Sequence, residues 1–251
     1  IVTVVLSGGP CDLRKVNELS PAVVQGWWNG MEGGNALADI LFGKIAPSGK
    51  LPFTFPLQLE DSPAYALDNF PQKAEVQGDL FGNQSRQDIQ GQRQVGRPSP
   101  DAYYSEGLLV GYRWFDTKNK PVMYPFGYGL SYSTFDYSNL KLSKDTYSDG
   151  EEIEVNFTVT NSGSMNALDV PQLYVHRVDA QVEWPYKELK GFDKVSLAPG
   201  ESRTICIAVP VEDLKYWDED RHDWVLEPGK IEIMLAHDAG DIASTATCNV
   251  K

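Results

Sequence analysis

The sequence predicts an α/β unit followed by an all-β sandwich. In the first part, short apolar runs alternate with helical patterns, and this order favours a parallel sheet with crossover helices. From Phe135 onward the helical patterns stop, and alternating strands separated by Gly and Pro turns take over. The charge changes at the same place: residues 1–134 hold 11 Lys or Arg and 13 Asp or Glu, whereas residues 135–251 hold 11 and 22. We therefore expect two domains, residues 1–134 and residues 135–251.

The first predicted elements are two strands joined by a short helix. Residues 1–7 form a near-continuous apolar run, of the kind that parallel sheets bury on both faces. Asp12 is placed to cap a helix that runs to about Leu19, and residues 22–28 predict the second strand. A strand buried on both faces needs neighbours on both sides. We therefore expect the chain to be the C-terminal piece of a longer protein.

A helix, a turn and a strand are predicted over residues 33–56. The helix opens at the Gly pair 33–34 and carries an apolar stripe along one face. The stripe consists of Ala36, Leu37, Ile40 and Leu41. Gly43 is suited to the left-handed position just after the helix, and Pro47 prevents the helix from resuming. Residues 51–55 then predict a short strand.

A polar segment follows over residues 57–102. It is rich in Gln, Asn, Asp, Gly and Arg, and its few apolar anchors are Leu80, Phe81, Ile89 and Val95. A segment of this length exceeds an ordinary connection between two elements. Two interpretations remain open: a surface excursion, or a functional loop that reaches an active site or a second subunit. A homodimer is therefore one of the arrangements that the sequence allows.

The remainder of the chain has the pattern of an antiparallel sandwich. Ile153, Val155 and Phe157 alternate with polar residues, which predicts a strand with one buried face. Further strands are predicted over residues 170–178, 188–195, 202–209, 230–235 and 243–250. Several short strands in about 115 residues are typical of this architecture.

The three cysteines do not form a disulfide framework. Cys11 follows the first apolar strand, so we expect a buried thiol. Cys206 and Cys248 fall in two predicted strands of the sandwich. Pairing of these two and two unpaired thiols both remain open.

Charge and motifs exclude several functional classes. A net charge of −13 argues against nucleic acid and anionic membranes as partners, and no apolar run is long enough for a transmembrane helix. His176, His222 and His237 lack the spacing of metal ligands, and no nucleotide-binding glycine loop occurs. The acidic run 218–223 lacks the spacing of a calcium-binding EF-hand loop and is interpreted as a solvated turn. We expect neither a metal nor a cofactor.

Several motifs, in order, carry a resemblance to a known family. The segment 33–56, the run EGLLVGYR at 106–113 and the run PFGYGLSY at 125–132 resemble the second, α/β domain of glycoside hydrolase family 3. The runs KELKGF at 187–192, LAPGE at 197–201 and DLKYW at 213–217 are similar to the fibronectin type III-like domain that ends many of its members.

This resemblance implies a C-terminal half of the family's α/β sandwich domain over residues 1–134 and a fibronectin type III-like sandwich over residues 135–251. The whole protein is then expected to remove a terminal β-linked glucose or xylose from an oligosaccharide, with retention, in the periplasm or outside the cell. A phosphorylase-type member of the family and a non-catalytic carbohydrate-binding or structural module remain alternatives.

The resemblance also implies where the catalytic carboxyl groups lie. The family's nucleophile is an Asp on an N-terminal (β/α)8 barrel, and its acid/base, where assigned, is commonly a Glu on a loop upstream of the strand at residue 1. Neither motif occurs in this sequence. We therefore expect the chain alone to be inactive. Its expected partner is the barrel, on the same protein or as a separate chain.

Few residues of this chain are candidates for a site. Glu106 lies in an aromatic setting and is a candidate catalytic acid, although a structural role is favoured. Trp27, Trp28 and Glu32 follow a strand end, where α/β sheets bind ligands and where aromatic faces suit sugar rings. The run WNGMEGG at 28–34 lacks the Pro and Gln of the family's pattern. We expect at least one of these Trp residues to be a core residue, and Arg113 and Trp114 to fix the domain junction.

Overall fold

The computed structural model of the chain describes residues 1–69 and 103–251. In these ranges, every helix is too short or too polar to cross a membrane. The helices are α1 (Arg14–Leu19), α2 (Gly33–Leu41), α3 (Pro63–Ala66) and α4 (Tyr112–Thr117). The strands are β1 (Val2–Val5), β2 (Ala22–Gln25), β3 (Phe55–Pro56), β4 (Val122–Tyr124), β5 (Phe135–Leu142), β6 (Thr146–Tyr147), β7 (Glu152–Asn161), β8 (Ala167–Asp169), β9 (Gln172–Arg177), β10 (Glu188–Phe192), β11 (Val195–Leu197), β12 (Ser202–Pro210), β13 (Tyr216–Asp218), β14 (Asp223–Val225), β15 (Gly229–Asp238) and β16 (Asp241–Val250).

Most of the predicted polar segment 57–102 lies outside the described residues, and with it all four predicted apolar anchors. Its first residues form a single 3₁₀ turn, Leu59–Asp61, and the short helix α3, which begins with a proline. Proline at the first helical position is favourable because its missing N–H has no helical partner there in any case.

The α/β unit contains the predicted parallel pair. Strand β1 pairs with β2, with Val2 opposite Ala22 and Val5 opposite Gln25. Within residues 1–69 and 103–251, β1 has no second neighbour, and Val2 is 47% exposed. Each residue of β1 is exposed or only half-buried, so the predicted burial of both faces is not reached within the described residues.

Helix α1 begins one residue later than a cap at Asp12 would place it. Leu13 is the residue before the helix, and its side chain has no hydrogen-bonding atom. The Asp12 carboxylate instead accepts a hydrogen bond from the backbone N–H of Arg14, at 3.1 Å, and pairs with the Arg14 guanidinium. This ion pair with Arg14 holds the pKa of Asp12 at about 2. Asp12 therefore binds the N–H of the first helical residue, Arg14, from one position before the usual capping residue.

Helix α2 ends as the sequence predicts. Gly43 has a φ of 70°, its N–H donates to the carbonyl of Ile40, and the N–H of Lys44 donates to the carbonyl of Asp39. These two bonds make a Schellman motif, which favours glycine because a residue with a Cβ is strained at a left-handed φ.

The strand predicted over residues 51–55 is largely absent. Only Phe55 and Pro56 form β3, which pairs with β4. Leu51 pairs with a turn instead: its N–H donates to Tyr128 and its carbonyl accepts from Gly127, both at 2.8 Å. The extended segment is thus held by backbone bonds to the 125–132 motif rather than by a strand partner.

The second unit is the predicted sandwich. One sheet has the order β12-β7-β5, and the other has the order β10-β9-β15-β16-β6. Strand β7 alternates between buried and outward-facing residues, as its sequence predicts. Its inward side chains meet those of the opposite sheet in a core with fully buried Phe157, Leu173 and Ile233. The fold class, an α/β unit followed by a β-sandwich, is confirmed.

One predicted strand of the sandwich divides in two. Residues 188–195 supply β10, which pairs with β9, and the start of β11, which pairs with β8. The register shifts between Leu189 and Gly191, and Asp193 and Lys194 separate the two strands. The break lets one stretch of chain serve two different partner strands.

The cysteines are all free thiols. Cys11 is exposed, so the prediction of a buried thiol is wrong: the chain has already left the sheet after Pro10. Cys206 lies on the outward face of β12, whereas Cys248 lies in the core, where burial raises the pKa of its thiol to about 11. Cys206 faces outward from one sheet, whereas Cys248 lies in the core on the other sheet, so the two do not pair.

Candidate functional site

The carboxyl ends of the parallel strands bring the candidate Trp residues to one edge. The turn after β1 contains Gly8, and the turn after β2 contains Trp27 and Trp28. A Cβ at Gly8 would lie 3.0 Å from the Trp28 ring, so the indole lies directly against the glycine backbone. Trp28 is nevertheless 83% exposed. It therefore presents an aromatic face at the edge where parallel sheets bind ligands.

Trp27 has a different environment. Its φ is 54°, a left-handed conformation that is uncommon for a bulky residue. Its ring packs edge-on against Phe53, with 5.3 Å between the ring centroids. Trp27 is half-buried, and a core role for one of the two Trp residues stays a prediction.

Glu32 lies on the same turn, at the position before helix α2. It is exposed, and its carboxylate accepts a hydrogen bond of 2.7 Å from the Asn35 side chain. Its backbone carbonyl accepts the first helical bond, from Ala36. The structure thus places Glu32 four residues after Trp28 on one exposed turn, and a role of the pair in substrate binding remains a prediction.

Glu106 lies elsewhere, in a turn between residues 105 and 108. One carboxylate oxygen, Oε2, is buried and has no hydrogen-bond partner among the described residues. The backbone carbonyl accepts from Leu109, at 3.0 Å. Across residues 1–69 and 103–251, no hydrogen bond, ion pair or ring contact joins Glu106 to Trp27, Trp28 or Glu32.

Helix α4 contacts the sandwich along a polar strip that we call the seam, formed by residues 112–117 and 186–189. Asp116 pairs with Lys187 at 2.8 Å, and Arg113 pairs with Glu188 at 2.9 Å. The Tyr112 hydroxyl accepts a hydrogen bond of 2.8 Å from the backbone N–H of Leu189. Burial raises the pKa of Asp116 above its usual value, although Lys187 opposes the shift.

The Trp114 side chain, on the same helix, contacts the α/β unit instead. Its indole N–H donates to the carbonyl of Asp61, at 3.0 Å, and its ring packs with Leu109 and Phe115. Arg113 therefore contacts the sandwich, whereas Trp114 holds α4 to the 3₁₀ turn of the α/β unit.

Gln172, which no sequence pattern indicated, makes a second contact between the sandwich and the α/β unit. We call this contact the Gln172 joint. Gln172 of β9 donates to the carbonyl of Gly127, at 3.1 Å, and to that of His237, at 2.8 Å. Its own carbonyl oxygen accepts from the Tyr174 hydroxyl. Lys50 makes a comparable link, because its ammonium lies 3.6 Å from the carboxylate of Asp169 on β8 of the sandwich. No local pattern marks either residue, because both partners lie far away in sequence.

An open cleft of about 1050 Å³ lies between the hairpin β13–β14 and residues 182–185, with Arg113 at its side. Trp184, Tyr216, Trp217 and Trp224 line it, together with acidic side chains. The acidic pattern of the run 218–223 predicts a solvated turn, and the Trp residues that flank it were not predicted to form a site. Their placement just outside an acidic turn, at 217 and 224, was the available signal.

Comparison with known proteins agrees with this architecture. Residues 1–132 match the glycosyl hydrolase family 3 C-terminal domain, and residues 169–239 match the fibronectin type III-like domain. A crystal structure of a family 3 β-glucosidase from Bifidobacterium adolescentis superposes with a TM-score of 0.83 at 34% identity, over 100% of this chain and 33% of that one.

Curated relatives give the same result. Beta-glucosidase BoGH3A of Bacteroides ovatus is 38% identical over 98% of this chain and 30% of its own length. The periplasmic beta-glucosidase of Salmonella typhimurium is 35% identical over 96% and 28%. The exo-alpha-(1->6)-L-arabinopyranosidase of Bifidobacterium breve is 35% identical over 98% and 29%. The chain spans less than a third of the length of these three relatives. The family match covers more than half of the chain, which therefore belongs to glycosyl hydrolase family 3.

Proposed function

We propose that this chain is the C-terminal portion of an exo-acting β-glycosidase and that its α/β unit forms one wall of the sugar pocket. The observation that carries the proposal is the exposed turn after β2, where Trp28 presents its indole and Glu32 its carboxylate. An aromatic face and a hydrogen-bond acceptor are what a sugar ring requires, because its C–H groups stack and its hydroxyls donate. The proposed sugar is a terminal β-linked glucose or xylose.

The catalytic carboxyl groups are proposed to lie outside this chain. Retaining hydrolysis needs two carboxyl groups about 5–5.5 Å apart, one as nucleophile and one as acid/base. This sequence lacks both family motifs that carry these groups, and it covers 30% of the length of the Bacteroides ovatus relative. The proposed partner is an N-terminal (β/α)8 barrel, on the same polypeptide or on a separate one.

The two units then have different tasks. Residues 1–134 are proposed as the C-terminal half of the family's α/β domain, and residues 135–251 as a sandwich that supports it. The seam and the Gln172 joint support this division, because they fix the α/β unit to the sandwich with charged and uncharged hydrogen bonds.

An activity assay on two proteins tests the proposal. We expect the 251-residue chain to leave p-nitrophenyl β-glucoside and β-xyloside intact, and a polypeptide that also contains an upstream barrel to hydrolyse at least one with retention. In that longer protein, Trp28→Ala should raise KM by about tenfold with a smaller change in kcat. Phe42→Ala, an equally exposed aromatic residue of the same unit, should leave both unchanged. Hydrolysis by the 251-residue chain alone would contradict the placement of the catalytic groups.

We propose a periplasmic or secreted location. The Salmonella typhimurium relative, which is named a periplasmic beta-glucosidase, supports it. Cell fractionation with an antibody against this chain tests the proposal, and recovery in the cytoplasmic fraction would contradict it. Native mass measured on the same material reports whether two copies associate.

A further inference from the structure

We propose that the cleft between hairpin β13–β14 and residues 182–185 binds a neutral oligosaccharide. The cleft is lined mainly by the sandwich, with Leu108 and Arg113 of the α/β unit at its side, and the proposal does not depend on the catalytic function proposed above. It rests on the aromatic walls of the cleft, on its unpaired carboxylates and on its size.

The first wall is the hairpin itself. Trp217 on β13 lies directly opposite Trp224 on β14, and the two ring centroids are 5.7 Å apart at an interplanar angle of 72°. Trp217 is 48% exposed and Trp224 is 59% exposed. Large apolar surface on a soluble protein is costly when it is left in water, and a contiguous pair of such rings marks a binding surface. Cross-strand pairing holds both rings at the cleft.

The second wall is held in place before any ligand arrives. The Trp184 ring lies under the Arg177 guanidinium, 4.6 Å from the ring centroid, and meets Tyr216 edge-on at 6.5 Å. These contacts fix the orientation of the indole. A rigid aromatic platform loses little conformational entropy on binding, which is the property that sugar stacking requires.

The polar lining accepts hydrogen bonds but repels anions. Carboxylates outnumber cationic side chains around the cleft. Among the described residues, the carboxylates of Glu183, Glu219 and Asp220 have neither an ion pair nor a hydrogen bond. Each carboxylate offers two acceptor oxygens to neighbouring sugar hydroxyls. The same charge disfavours phosphates, nucleic acids and uronic acids.

Other occupants fit less well. Protein–protein interface cores are depleted of charged residues, whereas here the Trp rings alternate with acidic side chains. In the part of the chain that the structure describes, no group of three or more metal-binding side chains occurs. The Asp218 carboxylate already accepts from the N–H groups of Asp220 and Arg221, both at 3.0 Å. At about 1050 Å³, the cleft is at the upper end of ordinary ligand sites and suits several linked sugar rings.

Binding is tested directly on the purified 251-residue chain. Cellotetraose, xylotetraose and maltotetraose are titrated by calorimetry and by Trp fluorescence, with chromatography confirming that the ligands stay intact. We expect saturable binding of at least one of them with a Kd of about 0.1–1 mM. Tetragalacturonic acid, which has a similar size but carries negative charge, should bind at least about tenfold more weakly.

Variants locate the site. Trp217→Ala and Trp224→Ala should each weaken binding by about tenfold, and Glu183→Gln by about threefold. Phe192→Ala, an exposed aromatic residue outside the cleft, should leave Kd unchanged. Because the Trp variants remove a hairpin contact, circular dichroism checks their fold, and Glu183→Gln tests the cleft without touching the hairpin.

Three results would overturn the proposal. The first is that no neutral oligosaccharide saturates binding at concentrations up to about 20 mM. The second is that both Trp variants bind with an unchanged Kd. The third is that tetragalacturonic acid binds as tightly as the neutral oligosaccharides. A fluorescence response to CaCl₂ alone, without any response to oligosaccharides, would assign the cleft to a cation instead. None of these results bears on the hydrolysis assay, so the two proposals fail separately.

Discussion

Gln172 and Gly127 are in such close contact that only glycine fits. The Gln172 side-chain N–H lies 3.1 Å from the Gly127 carbonyl oxygen, and a Cβ built on Gly127 would stand 2.1 Å from the Gln172 carbonyl oxygen. Gly127 also has a φ of 80°, which side chains rarely adopt. The motif glycine thus serves the joint between the α/β unit and the sandwich rather than a ligand loop.

Replacement of Gly127 by alanine should therefore destabilise the fold. We expect Gly127→Ala to lower the free energy of unfolding by about 3 kcal/mol, from backbone strain together with the lost or displaced Gln172 hydrogen bonds. Gly150→Ala is the matched control. Gly150 has a φ of 79° but open space around its Cβ position, so only the strain of about 1–2 kcal/mol should appear. Urea unfolding measures both, and equal losses would show that the contact with Gln172 contributes nothing.

The second prediction concerns a buried hydrogen bond in the sandwich. The Tyr137 hydroxyl donates to the Asp169 carboxylate at 2.5 Å, and the Lys50 ammonium lies 3.6 Å from the same carboxylate. A hydrogen bond to a charged group contributes about 1.5–3 kcal/mol, so Tyr137→Phe should reduce the free energy of unfolding by that amount. Tyr132→Phe removes an exposed bond to the carbonyl of Ile40 and should have a much smaller effect. A loss from Tyr137→Phe no greater than the control's would contradict the importance of this bond.

A pH dependence follows from Asp238, the last residue of β15 before the turn to β16. Burial raises the pKa of its carboxyl above the usual value, although the N–H of Gly240 donates to it at 2.7 Å. The folded protein therefore holds this proton more tightly than the unfolded chain does. The contribution of Asp238 to stability is greatest at low pH and declines as pH rises through the usual and then the raised pKa.

Asp238→Asn isolates that contribution. The amide keeps an acceptor for Gly240 but has no proton to lose, so the variant should be at least as stable as the parent at pH 7. Its advantage should shrink as pH falls towards 4. The exposed residue Asp136, changed to Asn, controls for the loss of one negative charge. Thermal unfolding from pH 4 to pH 8 provides the measurement, and a constant difference between parent and Asp238→Asn would refute the expected linkage.

Periodic elements were predictable from the sequence, whereas the joints between units were not. Strand β7 and helix α2 repeat an apolar position at the period of their own geometry, and Gly43 marks where α2 ends. Gln172 binds Gly127, 45 residues away, and Lys50 pairs with Asp169 of the other unit, so no local pattern marks either residue. The strand predicted over residues 51–55 is largely absent for the same reason, because Leu51 pairs with a turn that is distant in sequence.

The candidate site was predictable only in part. The position of Trp28 after a parallel strand placed it at the carboxyl edge before any coordinates were known. Its exposure and the packing of Trp27 against Phe53 required the structure, because both indoles belong to one dipeptide with the same local pattern. Trp217 and Trp224 were missed because each occupies a strand of only three residues, too short to show a period.

Glu106 provides the sharpest test of where the chemistry lies. Its Oε2 atom is buried without a hydrogen-bond partner among the described residues, which suits either a proton donor or a packed structural carboxyl. Loss of a general acid costs about 10²–10⁴-fold in rate, and the loss is greatest for substrates with poor leaving groups. We expect Glu106→Gln, in a polypeptide that contains the barrel, to lower kcat less than about tenfold on both p-nitrophenyl and alkyl glucosides.

The pH profile and stability separate the two roles. A structural Glu106 leaves the pH dependence of kcat/KM unchanged, and the substitution changes chiefly the free energy of unfolding. A catalytic Glu106 would give a loss above a hundredfold on the alkyl glucoside, a smaller loss on the p-nitrophenyl glucoside, and removal of the alkaline limb of the profile. Ser105→Ala on the same turn, which removes the bond from Asn69, is the matched structural control. Only a selective loss of rate on the alkyl glucoside, which has the poor leaving group, would identify Glu106 as the catalytic acid. Displacement of the turn would slow the hydrolysis of both substrates alike.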